Sequence, residues 1–537
     1  MHNLGKTSRV DLWRRIAPLA LMAALLLPAV FHRGIHVHDE AHFLLVANTV
    51  AQGAAGILTG KPISEIRDRI HESGGALYFA AKPGYIYLLA LWGLVLGGLT
   101  ATKALFLNFL LALGTLALLQ DSAQRLFGAR AAFFAAALLA LSPLFLDFSA
   151  TALGPVPATF FCILAFWLAI RDKPALWRVL LAGLAAAAAF LCHYNIVVLL
   201  LTFGIGTWPG GSWLKRIGLP AAFVLFLAIF HLGTVAVDRA LAEAYPEFRS
   251  YGSELVRNFS FAQLQDGGDE AARDAIPEDM TDGQRGYDAR AWLHLAYILF
   301  NRLHLLLPVA VIGLAWLGRS KKLEGRHLWL LAWWAFLPTL FWALYPWKVE
   351  RSFVHCVPGL VLAAAVVIQR IAPLDEDPEA PRNRRDIALG LLISLVLLSL
   401  LTISPGNLFG KSPFERMVRQ NESLISRAPE GTFTGRSFHW RTAPLWKWYL
   451  GPERLNRGKL SPGVDFASSR QPLLVGADAQ SILPDPNYAA YMHAHEWIIV
   501  VGESVEAGDD YGTLLFMTNS NRKYDLLTEL ASGAGSP

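Results

Sequence analysis

The sequence predicts a polytopic α-helical membrane protein of about eleven spans, with juxtamembrane helices and a small extracytoplasmic α/β domain at its C-terminal end. Three observations carry that prediction. Of the 537 residues, 54% are hydrophobic and only 17% are charged, with a mean hydropathy of +0.38. Soluble domains carry about 25% charged residues, so a soluble enzyme, a disordered chain and a collagen-like fibre are excluded. Eleven apolar runs approach the roughly 17–25 residues that a spanning helix needs. Finally, lysine and arginine are sorted unequally between alternate loops.

The expected spans, in order, are Ile16–Phe31, Ala104–Gln120, Ala131–Leu146, Pro157–Ile170, Val179–Cys192, Ile196–Trp208, Ile217–Val237, Ile298–Leu317, Leu328–Tyr345, Phe353–Gln369 and Ile387–Ile403. The first has a basic front (Lys6, Arg9, Arg14, Arg15) but no small-residue cleavage site behind it, so it reads as an uncleaved span. The fifth and sixth come from one charge-free run of 36 residues, which suits a hairpin turning at His193, Tyr194 and Asn195. Another apolar stretch, Tyr85–Leu99, would reverse every later loop if it crossed. Reading it as a helix in the interface puts fifteen basic residues in the cytoplasmic loops and two, Lys348 and Arg351, in the short outer ones. The positive-inside rule favours that reading, and Tyr85, Tyr87 and Trp92 suit the interfacial depth. The N-terminus is then cytoplasmic and the C-terminus outside.

This organisation gives a membrane domain over 1–403, with outward loops at 32–103 and 238–297, and an extracytoplasmic domain over 404–537. The C-terminal part has 13 basic and 14 acidic residues, a balance suited to a water-exposed domain. Its runs Gln471–Val475, Trp497–Val501 and Thr513–Met517 read as strands, and Pro413–Ser426 and Arg441–Leu450 as helices. Cys162, Cys192 and Cys356 lie in spans or at their ends, so the chain has no disulfide framework. The net charge of +5 reflects topology, because no basic cluster interleaves with aromatics as a nucleic-acid surface requires.

Chemistry concentrates in the outward segments. Asp39 and Glu40 follow the first span, with Asp39 capping an expected amphipathic helix from Glu40 to about Val50. As a cap alone, Asp39 needs no further role. Lys82 opens the interfacial helix, where a lysine either snorkels or binds a lipid phosphate. The segment Lys348-Val349-Glu350-Arg351 breaks the charge bias, and anion binding is the simplest reason for that. Arg302, near the outer end of the eighth span, either joins the phosphate site or snorkels outward. His38 and His42, four residues apart beside two carboxylates, offer an alternative divalent-metal site, although they fit no standard zinc motif.

The order of Asp39-Glu40-Ala41-His42-Phe43, then Lys82-Pro83, then Arg351 seven residues before Pro358, resembles the GT-C glycosyltransferases. Among them it is most similar to the bacterial lipid A aminoarabinose transferase and protein O-mannosyltransferase group, over residues 10–403 and in the type of tail. The resemblance implies an inverting transfer of a sugar from a polyprenyl-phosphate donor, at the outer face of the bacterial cytoplasmic membrane. The acceptor would be a hydroxyl on an envelope glycolipid, glycan or protein. It implies Asp39 as the catalytic residue, Glu40 as a neighbouring acid, and Lys82, Arg351, Lys348 and Arg302 around the donor phosphate. Two positions depart from the pattern. Relatives carry an aspartate in the next outward loop, where Asp147 here stands out of register. They also often carry a lysine at the end of the fifth span, where this chain has His193. A lipid-linked-sugar transporter or flippase, or an envelope glycan polymerase or ligase, is the competing reading. The absence of internal repeats and the outer position of the ionisable residues weigh against transport.

Overall fold

The computed structural model describes residues 9–36, 38–58, 64–65, 82–170, 175–196, 217–230, 232, 283–285, 289–321, 325–345, 347–371, 382–403, 408–412, 415–416, 419, 433–434, 445, 448–449, 455–456, 473–477, 497–507 and 510–519. The membrane part is helical. α1 (Arg9–His32) contains the first expected span, and α2 (His38–Leu58) follows it after a sharp turn at Gly34, whose φ is +70°. α2 outlasts the expected helix by two turns, because the small residues Ala51, Ala54 and Ala55 continue it beyond Val50. Asp39 and Glu40 both lie in its first turn, where negative charge suits the unpaired N–H groups.

α3 (Pro83–Val95), 13 residues long, starts two residues before the apolar stretch Tyr85–Leu99 and ends four residues before its end. Lys82 is its N-cap and Pro83 opens it, a position at which the missing proline N–H costs nothing. Tyr85, Ile86, Leu89 and Ala90 are buried, while Leu91, Leu94 and Val95 are exposed apolar residues on the other side. The Lys103 ammonium closes its far end, donating to Leu96 O and Gly98 O at 2.8 and 2.9 Å.

α4 (Ala101–Phe127) starts at the Thr100 cap and runs 27 residues, about 40 Å at helical rise. α5 (Ala129–Ala140) and α6 (Pro143–Ser149) fall on the third expected span, which is not straight: the two meet at 62°. Pro143 pushes Ser142 into an extended conformation and breaks the helix there. α7 (Pro155–Ala169) packs on α8 (Leu176–Cys192), and α8 ends in a single 3-10 turn at Tyr194–Ile196, where the sequence predicts the hairpin to reverse. Of the sixth expected span, only Ile196 is described.

After the helix Ile217–Phe230 (α9), the next described elements are β1 (Gly283–Arg285) and α10 (Ala289–Tyr297). α10 runs into a π-helical turn, Ile298–Arg302, and then α11 (Leu306–Arg319). The eighth expected span is therefore also broken, with a bend of 77°. α12 (Gly325–Leu344) is followed by β2 (Trp347–Val349), which pairs antiparallel with β1. A turn of helix at Glu350–Phe353 and a 3-10 turn at Val354–Cys356 lead into α13 (Val357–Ile371), which packs against α5, α11 and α12. α14 (Arg382–Thr402) completes the helices.

Among the described residues, four helices are long and apolar enough to cross a membrane, or six if each bent pair is one span. Five shorter apolar helices, among them α3, α7, α8 and α9, fall at or beside further apolar stretches of the sequence. In the C-terminal part, β5 (Leu473–Ala477), β6 (Trp497–Ala507) and β7 (Asp510–Asn519) form an antiparallel sheet in the order β5-β7-β6, preceded by a short parallel pair, β3 (Phe433–Thr434) and β4 (Leu455–Asn456). β5 overlaps the expected Gln471–Val475 and runs on to Ala477, β6 and β7 contain the other two expected strands and extend further, and β3 and β4 are not among the expected ones. Most of the two expected tail helices lies outside the described residues.

Candidate active site

Three groups of charged and polar side chains gather at one end of the helical core. In the first, Arg351 Nη1 donates to Asp39 Oδ2 at 2.7 Å, joining residues 312 positions apart. Both are largely buried, with side-chain exposures of 15% and 10%. Lys82 stands nearby, its ammonium over the ring of Phe43 at 5.1 Å and its charge felt at His193 together with those of Arg351 and Asp39. Two glycines allow this convergence. A Cβ on Gly84 would come within 2.6 Å of Leu191 Cβ, and one on Gly154 within 2.5 Å of Cys192 O, so the starts of α3 and α7 lie directly against the end of α8.

The second group centres on Glu40, which is fully buried. Arg33 Nη1 donates to Oε1 at 2.7 Å, as does the Ala152 backbone N–H, while the His36 N–H donates to Oε2 at 2.9 Å. Burial alone would raise the carboxyl pKa, but the Arg33 charge and hydrogen bond outweigh it and hold the group below its ordinary value. His36 behaves oppositely: burial and the Arg33 charge push it down to about 4. The tail braces the same segment. Ser412 N donates to Arg33 O at 2.7 Å, and the Ser412 and Tyr449 hydroxyls donate to Ile35 O at 2.6 and 2.8 Å.

In the third group, Arg302 lies between Asp147 on α6 and Glu350, with ion pairs of 2.5 and 2.8 Å, and also donates to Thr402 O. The π-helical turn and the break before α6 bring these side chains together. Asp147, out of register in the sequence pattern, thus reaches the same end of the molecule as Asp39, and Arg33 acts on it electrostatically.

Of the residues the sequence motifs single out, Asp39 and Arg351 are joined directly with Lys82 close by, whereas Glu40 is held by Arg33, His36 and Ala152, and Arg302 by Asp147 and Glu350. The side chains of His38 and Lys348 lie outside the described residues. His42 is partly buried beside the site, and among the described residues no three His, Cys, Asp or Glu side chains are grouped to hold a metal ion. Sequence reasoning missed Arg33 and Glu350, and also Thr159 and His355, whose buried side chains lie 2.9 Å apart with His355 in turn 3.2 Å from His193. An arginine directly after a span and a histidine in the first turns of another are signals of buried polar function; the partner of Arg33 is seven residues on, but that of His355 is 196 residues away.

Residues 81–233 match the dolichyl-phosphate-mannose-protein mannosyltransferase family. No curated protein matches the chain in sequence. In fold, the chain is similar to ArnT from Cupriavidus metallidurans in the apo state, with a TM-score of 0.58 at 13% identity over 95% of this chain and 98% of that one. The same protein bound to undecaprenyl phosphate matches with a TM-score of 0.54 at 14% identity, over 94% and 97%. The oligosaccharyltransferase AglB from Archaeoglobus fulgidus, in complex with an inhibitory peptide and a dolichol-phosphate, matches with a TM-score of 0.54 at 11% identity, over 96% and 75%. The match in sequence and the match in fold point the same way: residues 81–233 are similar to the protein mannosyltransferases, and the fold of the chain is similar to those of ArnT and AglB.

Proposed function

We propose that this protein transfers a sugar, with inversion, from a polyprenyl-phosphate donor to a hydroxyl of an envelope glycolipid, glycan or protein at the outer face of the cytoplasmic membrane. The observation that carries the reading is the Asp39–Arg351 ion pair beside Lys82, at a site where three outward segments of the sequence converge. A polyprenyl phosphate leaves as an anion, so its departure needs positive charge more than it needs a proton. Lys82 and Arg351 supply that charge, with Lys348 as a third candidate from the strand preceding Arg351. As the phosphate enters, it competes for the Arg351 guanidinium, and Asp39 is released to take the proton of the acceptor hydroxyl. Glu40 and Arg302 then frame the site: Glu40 is spent on three hydrogen bonds and Arg302 on two carboxylates.

The test is glycolipid profiling by mass spectrometry of a strain lacking the protein, complemented with the wild type, Lys82→Met or Arg351→Met. The wild type restores one sugar modification, and each variant fails to restore it while the distribution of the lipid carrier stays unchanged. A shifted carrier distribution with the sugar modification intact would favour a transporter instead.

A further inference from the structure

Three buried side chains behind the site form a relay that the chemistry above does not use. Thr159 Oγ1 donates to Pro155 O at 2.8 Å, and the same oxygen lies 2.9 Å from His355 Nδ1. A hydroxyl has one proton, so with that proton on Pro155 O, His355 Nδ1 must be the donor to Thr159. A neutral His355 then carries its lone pair on Nε2, 3.2 Å from His193 Nδ1, and His193 Nδ1–H donates to it. The proton of His193 is thereby assigned to Nδ1, which leaves the Nε2 lone pair as an acceptor. The polarity is set by the Thr159 hydrogen bond, since of the charges around the His193 ring Lys82 and Arg351 oppose positive charge on it while Asp39 favours it. Among the described residues, His355 is the hydrogen-bond partner found for the His193 ring. The ring is fixed on its other sides by Tyr194, stacked at 5.8 Å, and by the close passage of Gly154, whose added Cβ would lie 3.8 Å from His193 Cδ2.

We infer that His193 Nε2, set as a fixed acceptor by His355 and Thr159, receives a hydrogen bond from a hydroxyl of the donor's sugar and so selects and orients that sugar beside Asp39. A lone pair repels phosphate oxygens and takes O–H donors, and Lys82 and Arg351 already serve the phosphate. The inference rests on the transferase reading and deepens it. His193 is a specificity residue in this scheme, and His355 and Thr159 position it.

The test compares dissociation constants of the purified protein for undecaprenyl phosphate alone and for three undecaprenyl-phosphate monosaccharides bearing a hexose, a pentose and a 4-amino-pentose. Wild type binds at least one of the three more tightly than the bare lipid phosphate. His193→Phe keeps the ring volume, leaves bare undecaprenyl phosphate binding unchanged, and loses roughly 5- to 30-fold of the sugar-dependent gain, the worth of one oriented hydrogen bond. His193→Gln, whose amide can donate to His355 and accept a hydroxyl, retains more of the gain than Phe. Thr159→Val, remote from the substrate, loses part of it. Retention of the full gain by His193→Phe overturns the inference, as does a wild type with no sugar-dependent gain or a variant that weakens bare lipid binding equally. Failure of the wild type to bind undecaprenyl phosphate at all would instead overturn the transferase reading.

Discussion

Replacing Glu40 with alanine separates framing from chemistry. The carboxylate is 0% exposed and its partner Arg33 2%, so the ion pair is closed off from water. Removing one member of a buried pair costs about 3–5 kcal/mol, because the other charge is left uncompensated. The Ala152 and His36 N–H groups also lose their acceptor, at about 1–3 kcal/mol for each that stays dry. Relaxation and entering water recover part of this, so a loss of at least about 4 kcal/mol is expected for Glu40→Ala. Glu40→Gln also leaves the Arg33 charge uncompensated but keeps the shape and one acceptor oxygen, so it should lose less than alanine, about 3 kcal/mol. The assay is thermal and denaturant unfolding of the detergent-solubilised protein, with undecaprenyl phosphate binding measured beside it. Unfolding of Glu40→Ala within about 0.5 kcal/mol of wild type would refute the framing role. So would a Glu40→Gln protein that unfolds like wild type and has no transferase activity, since that result would make Glu40 a catalytic residue.

Arg302→Met strands Asp147 and Glu350 together and should destabilise the protein by about 3–5 kcal/mol, read as lower yield and unfolding temperature. Gly154→Ala forces a methyl group against the Cys192 carbonyl and should cost about 1–3 kcal/mol, measured by unfolding, while an alanine at Gly390, in α14 with open space around its Cβ position, meets no such contact. Burial and the Arg33 charge push His36 from the ordinary 6.5 down to about 4, so the folded state binds fewer protons than the unfolded state between those values. Its contribution is present above pH 6.5 and is lost as pH falls towards 4. Stability should therefore decline over that range by up to about 3 kcal/mol, and His36→Leu should flatten the decline.

The parts of the site that were legible in the sequence are those whose chemistry is local. Asp39-Glu40 stands directly behind an apolar span, Lys82-Pro83 opens a helix, and Arg351 interrupts a loop pattern otherwise poor in positive charge. Each is a visible exception in its own stretch of chain. Partner choice was not legible. Arg33 and Glu40 are close in sequence, but the third donor to Glu40 comes from Ala152, and Arg302 joins Asp147 from 155 residues away. The sequence could not divide the two adjacent carboxylates by role, because Asp39 meeting Arg351 and Glu40 meeting Arg33 is a consequence of tertiary packing. The span pattern shows the same limit. Hydropathy located the apolar segments, but the bends at Ser142–Pro143 and at the Ile298–Arg302 turn depend on backbone geometry that hydropathy averages away. Those bends carry Asp147 and Arg302 into the site.

The central claim is that Asp39 activates an acceptor hydroxyl against a sugar held on a polyprenyl phosphate. It is tested most directly by single-turnover transfer with the purified protein, a saturating undecaprenyl-phosphate sugar that the wild type accepts, and an envelope extract as acceptor. Release of undecaprenyl phosphate should fall by about 100-fold or more in Asp39→Asn, the scale of a lost general base, with donor binding retained. Release at the wild-type rate from a folded, donor-bound Asp39→Asn protein would contradict the account.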